Sequence, residues 1–232
     1  SYGIRPLFPF SIQWFHLDIN SLTDGPILVA LGLAAGWPWL SGLVSGEIGD
    51  AQKSTGRGIA VMILLLCSGF EVCRYYLHQR AITQLESRLY AGAAPLEAAA
   101  LPTALNPFLW RGIVATKTTW REFNLNTLGQ LNTESAQSFF RIPLSEAIAN
   151  ARRTAEFSYF IYFARFPVWS IQPVGLSDGT GKRIELTDLR FGEPGRGSFH
   201  CVALENPAGR ILGAWFTFGS GTELGWSEPV HH

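Results

Sequence analysis

Two long apolar runs dominate the first third of the chain: residues 26–44, PILVALGLAAGWPWLSGLV, and residues 58–77, GIAVMILLLCSGFEVCRYYL. A bilayer core about 30 Å thick takes roughly 20 apolar helical residues to cross, so each run predicts a transmembrane helix. Pro38, between Trp37 and Trp39, removes a backbone donor and predicts a kink in the first. Ahead of it, Pro6, Phe8, Pro9, Phe10, Trp14 and Phe15 make residues 1–25 an aromatic, proline-punctuated segment suited to the membrane interface. In the second run Glu71 and Arg74 stand three apart, share a helix face and are expected to pair or to snorkel toward headgroups. The spacing of Ile82, Leu85 and Leu89 carries that helix beyond the membrane, until Gly92 and Pro95 stop it.

The pattern then changes. An alanine-rich stretch, residues 91–105, reads as a linker. Beyond it WRGIVATK and TWREFNLN are strand-like, while LSEAIANARR and FSYFIYFAR are helix-like. VWSIQPV, RIELTDLRF, SFHCVALE and ILGAWFTFG follow as strand-like runs, separated by the turn-rich clusters SDGTGK, GEPGRG and NPAGR. The fold class expected is a membrane-anchored α+β protein: two transmembrane helices, then a soluble domain with a mainly antiparallel β-sheet and one or two helices. Its parts are an entry segment (1–25), two membrane helices with a helical extension (26–90), a linker (91–105) and the α+β domain (106–232).

Composition sharpens this picture in three places. With 18 basic and 18 acidic residues the net charge is zero, and no basic run exceeds Arg152-Arg153, so nucleic acid is excluded as a partner. The three cysteines, Cys67, Cys73 and Cys201, have no CxxC spacing and read as buried thiols rather than a disulfide or zinc framework. Arg5, Arg74, Arg80 and Arg88 flank the membrane on the side of the domain, against Lys53 and Arg57 in the loop between the helices. The positive-inside rule therefore puts the domain in the cytoplasm.

Candidate chemistry is sparse. Gly175-Leu176-Ser177-Asp178-Gly179 matches GxSxG, but a nucleophile elbow needs a helix after the serine and here a strand pattern follows. Asp-Gly instead suits a hairpin turn, and a serine hydrolase built on Ser177 lacks an evident base and acid. Lys53-Ser54 lacks the glycines of a phosphate-binding loop. His200, alternating with Phe199 and Cys201, reads as a core or surface histidine. His16, Asp18 and Asp24 form the one acid–histidine cluster beside the membrane. Such residues bind a divalent metal, zinc or another, that activates water. They equally serve as interfacial polar residues, with Asp24 before Gly25-Pro26 capping the first helix.

The opening SYGIRPLFPFSIQWFHLD resembles a segment of the bacterial inner-membrane metal-dependent hydrolase family of the YdjM/YbcI type, carried by Tyr2, Gly3, Arg5, Pro6, Pro9, Phe10, Ser11, Trp14, Phe15, Asp18 and Asp24. Further similarity runs through Glu47-Ile48-Gly49, Gly56-Arg57-Gly58, His78 with Arg80-Ala81, Asn106-Pro107-Phe108 with Trp110, Arg165-Phe166-Pro167 and Asp188-Leu189-Arg190-Phe191. The family's histidine–aspartate motifs, an HRG-x-THS-like and an HLLxD-like segment, lie upstream of this stretch and do not occur in the 232 residues. The resemblance implies the C-terminal portion of a membrane-bound hydrolase, in which Asp18 and Asp24, with His16, complete or orient a metal site held mainly by upstream residues. Catalysis is then expected only if the natural chain extends before Ser1. The alternative is a non-catalytic accessory subunit of a larger membrane complex, with lipid and partner membrane subunits as its contacts and Gly32, Gly36, Gly42 and Gly69 suited to close helix packing.

Overall fold

A computed structural model describes residues 3, 5–11, 14–21, 24–48, 56–129, 131–133 and 136–219. Two long helices come first, α1 (Gly25–Ile48) and α2 (Gly56–Glu86). Four strands follow, β1 (Glu97–Pro102), β2 (Leu109–Ala115), β3 (Thr119–Asn126) and β4 (Gln137–Phe140), and form one sheet in the order β1-β2-β3-β4. After the short helices α3 (Glu146–Arg152) and α4 (Ala155–Phe163) comes a second sheet, β5-β6-β7-β8, built from Pro167–Leu176, Gly179–Asp188, Phe199–Glu205 and Ile211–Phe218. The α+β class expected from the sequence is therefore present, but with two antiparallel sheets rather than one. The chain divides into two compact units, residues 1–117 with 121–138, and residues 118–120 with 139–232.

In the first unit α2 changes environment along its length. Val61, Met62, Leu64, Leu65 and Leu66 are exposed, whereas Ala81 and Leu85 are fully buried. The exposed part belongs to the one helix, Gly58–Glu86, that is long and apolar enough among the described residues to cross a membrane; Gly25–Trp37 of α1 is a shorter apolar stretch. The described residues thus carry one such helix where the sequence predicts two. α1 runs on through Pro38 as a helix to Ile48 and α2 begins at Gly56, so both reach into the stretch expected as a loop, whose Lys53 lies outside the described residues.

The buried end of α2 packs on the first sheet. Ala81 and Leu85 join Tyr90, Ala100, Trp110, Val114, Phe123 and Leu125 in one core. Gly112 of β2 is what lets the helix come close, since a Cβ there would lie 2.9 Å from the Leu85 side chain. Tyr90 donates its hydroxyl to the Leu85 carbonyl at 3.0 Å, where burial pushes the phenol up from its ordinary value. Leu89, expected on the same apolar stripe, is exposed because the helix ends at Glu86. The expected linker is also corrected. Glu97–Pro102 is a strand, held by antiparallel pairing from Glu97↔Ala115 to Pro102↔Trp110.

The second unit wraps α3 and α4 onto one face of its sheet. Ala147, Ala151, Phe157, Phe160, Ile184, Leu186, Cys201 and Ala203 form its core. Ser145 caps α3 by accepting from the Ile148 N–H. Phe160, Phe191, Phe216 and Phe218 surround Phe199 with ring centroids 4.9–5.7 Å away. Both predicted hairpins form. Ser177 and Asp178 are the two turn residues between β5 and β6, with Leu176 paired to Gly179, and Asn206 accepts from Ala208 and Arg210 N–H groups between β7 and β8.

At the end of β6 a buried ion pair ties helix to sheet. The Arg190 guanidinium meets Asp188 at 2.8 Å, donates to the Phe163 carbonyl at the end of α4, and lies 4.6 Å from the Phe163 ring. Asp188 also accepts from the Arg165 and Arg190 N–H groups, so its desolvation is compensated. Phe157, fully buried and stacked on Trp169 at 5.6 Å, anchors the helix layer. Replacing it by alanine is expected to cost about 3–5 kcal/mol, read as a fall in the urea midpoint of tryptophan-monitored unfolding; a change of a few tenths would refute its place in the core.

Candidate functional site

Of the residues singled out by sequence, Asp24 meets α2 where that helix passes from its exposed to its buried part. Ahead of it the entry segment doubles back on itself. The Arg5 guanidinium lies 4.1 Å from the Trp14 ring, Trp14 stacks with His16, and a Cβ on Gly3 would fall 2.5 Å from the His16 ring. The strand of segment that follows is fastened to α2. Arg74 Nη1 pairs with Asp24 Oδ1 at 2.9 Å, and Arg74 Nε donates to the Ile19 carbonyl at 2.9 Å. Asn20 Nδ2 donates to Glu71 Oε1 at 2.9 Å. Arg74 and Asp24 retain only 1% and 5% of their exposure.

This corrects the expected pairing of Glu71 with Arg74. Both residues turn instead toward the entry segment, and Arg74 finds its carboxylate fifty positions away in sequence. The guanidinium is flanked by aromatic rings, 5.4 Å from Trp110 and 5.7 Å from Phe70. His78, one turn further along α2, lies 5.4 Å from the same Trp110 ring. Trp110 is fully buried and donates its indole N–H to the Pro107 carbonyl. The Gly25 N–H, at the first residue of α1, donates to the Ala104 carbonyl. Both long helices are therefore joined to β2 and the connection that precedes it at one place.

Asp24 spends both carboxylate oxygens here, Oδ1 on Arg74 and Oδ2 on the Ser21 N–H, while its carbonyl accepts the first helical bond from Leu28. Asp18 is buried, 4% exposed, with φ 51°, a left-handed backbone uncommon for residues other than glycine. His16 is half-buried. Among the described residues no three His, Cys, Asp or Glu side chains converge in a way that could hold a metal ion. Sequence reasoning named Arg74, Trp110 and His78, but it paired Arg74 with Glu71 and gave the other two no part in this contact. One signal was available: Arg74 is the single basic residue in residues 58–77, and a buried carboxylate demands a partner.

The other candidates lie elsewhere. Ser177 sits in the β5–β6 turn. His200 is buried in the second unit, its Nδ1 3.1 Å from the Gly197 carbonyl. Cys201 is buried, and desolvation, with the Glu156 carboxylate acting the same way, pushes its thiol up to about 12. Lys53 and Ser54 lie outside the described residues. Comparison with protein-family models, curated proteins and solved structures finds no match to the chain.

Two outcomes follow from this geometry. Asp24→Asn or Arg74→Met leaves one buried charge unpaired and is expected to cost about 3–5 kcal/mol. The double variant Asp24→Asn with Arg74→Met is expected to recover part of that loss. Thermal unfolding in detergent checks both, and strict additivity would deny the pair. Cys201 remains a neutral thiol at physiological pH. The unfolded thiol ionises first, so stability falls as pH rises above about 9. Iodoacetamide at pH 8 is expected to spare Cys201 in the folded chain and modify it after denaturation, as read by peptide mass spectrometry.

Proposed function

We propose that this is an integral protein of a bacterial inner membrane, crossing it as the hairpin α1–α2, and that it forms the anchoring and site-shaping part of a membrane-bound metal-dependent hydrolase of the type its sequence resembles. Support for two crossings comes from α1, a 24-residue helix whose Leu28, Val29, Leu31, Leu33, Trp37 and Trp39 are exposed as those of α2 are. The observation that carries the hydrolase reading is Asp18. A carboxylate buried in a left-handed backbone is held two residues from His16, on a segment locked to α2. Asp24 then positions rather than ligates. The remaining ligands come from outside the residues described, and the α+β units stand on the cytoplasmic side. In this reading Asp18 and His16 contribute to a divalent-metal site whose ion supplies an activated water.

The rival reading, a non-catalytic accessory subunit, is favoured by one observation. A Cβ added at Gly32, Gly36 or Gly69 would meet nothing within 4 Å, which leaves small-residue faces open to partner helices. The two separate by metal content. The natural full-length product is purified from its membrane, and bound metal is measured together with hydrolysis of a chromogenic phosphodiester. Asp18→Asn is expected to lower metal occupancy by about tenfold or more with the thermal midpoint largely kept, whereas Asp24→Asn lowers the midpoint. A natural protein without metal, or an Asp18→Asn variant that retains it, overturns the hydrolase reading in favour of the accessory subunit.

A further inference from the structure

The doubled-back entry segment ends in a tip that the latch on α2 does not use. Residues 6–10 form a turn, PLFPF, in which Leu7, Phe8 and Phe10 project outward, and Phe10 is 96% exposed. Nothing in the fold rewards this exposure. Large apolar side chains gathered at one tip cost solvation that a protein in water recovers only by covering them.

The backbone of the tip suits an apolar surrounding. Pro6 and Pro9 carry no N–H to satisfy, the Phe8 N–H is bonded to the Arg5 carbonyl, and the Ser11 N–H to the Leu7 carbonyl at 2.8 Å. Unbonded N–H groups are the main penalty for irregular backbone in a bilayer, and here four of the six positions from 6 to 11 raise none. No Asp, Glu, Lys or Arg occurs between Arg5 and Asp18. Arg5, at the base of the turn, is stacked on Trp14, and Leu17 and Phe15 add exposed apolar surface beside it.

Position on α2 names the occupant. The segment is fastened through Ile19, Asn20 and Asp24 to Glu71 and Arg74, in the last turns of the apolar run. Val72, next to these anchors, is exposed like Leu64–Leu66 further down the helix. The tip thus lies on the same segment that is fastened to this apolar run, and its Leu7, Phe8 and Phe10 are exposed as the side chains of that run are. Resting on the membrane reading above, the geometry points to residues 6–11 as an interfacial wedge whose Leu7, Phe8 and Phe10 side chains insert among lipid acyl chains, leaving Arg5 and Trp14 at the headgroups. Its partner is the lipid leaflet, and it holds the Asp18 segment at a fixed depth.

Single spin labels test this in the full chain, with Cys67, Cys73 and Cys201 replaced by serine or alanine. Labels are placed at Phe10→Cys, at Leu65→Cys on α2 and at Asp178→Cys in the β5–β6 turn, in vesicles of phosphatidylethanolamine and phosphatidylglycerol. Collision with oxygen, which concentrates in lipid, is compared with collision with a water-soluble nickel complex. The ratio at position 10 is expected to resemble that at position 65 and to exceed that at position 178 several-fold. A position 10 that behaves like 178 while 65 stays in lipid overturns the wedge and leaves the membrane helix intact. Position 10 shielded from both reagents means protein covers the tip, which also overturns it. Water at both 10 and 65 overturns the membrane reading itself, and the wedge with it.

Discussion

A buried ion pair between residues fifty positions apart holds the first unit together. Arg74 lies on a helix otherwise rich in leucine, and an isolated guanidinium there would be strongly disfavoured. Asp24, the Ile19 carbonyl and two aromatic rings remove that penalty. In doing so they fix the path of the entry segment, the first residue of α1 and the start of β2 around Trp110. A neutral pair would leave the segment held by the Asn20–Glu71 bond and by packing, with little to set its direction. The pair thus contributes register more than net stability, the role for which buried ionic groups are best attested.

Much of the architecture was legible in the residues. The apolar runs, the change to period-two patterning after Trp110, and the Asp-Gly and Asn-Pro-Ala-Gly turns marked α1, α2 and most strands of the second sheet. β1 was not legible. EAAALP has no β-branched residue, and its strand state comes from pairing with β2 rather than from local preference. β4, four residues between turn-rich stretches, was too short to carry a period. The division into two sheets was hidden for a related reason: alternation tells which face of a strand is buried, not which strand lies beside it.

At the site the balance differed. His16, Asp18 and Asp24 were recognisable as the polar residues nearest the apolar runs, but spacing along the chain suggested the wrong partner for Arg74. Helical neighbours three apart pair weakly on an exposed face, and that rule assigned Glu71. Burial reverses the preference, because a charge removed from water takes the partner that also brings backbone acceptors and flanking rings. The entry segment supplies the carboxylate and the backbone acceptor, and Trp110 and Phe70 supply the rings. Residue-level patterning thus located the chemistry without resolving its geometry.

One helix has both an exposed apolar part and a buried part. From Gly58 to Glu86, α2 is unbroken for about 43 Å, roughly 13 Å more than a bilayer core needs, and its final turns are cemented into the Leu85–Gly112 contact with β2. No hinge separates the exposed part from the buried part. In the membrane setting proposed above, tilting or rotating this rod carries the first sheet with it as a rigid lever. In that setting membrane thickness and lateral stress, acting on the exposed turns, reach the segment that carries Asp18 and His16 as torque.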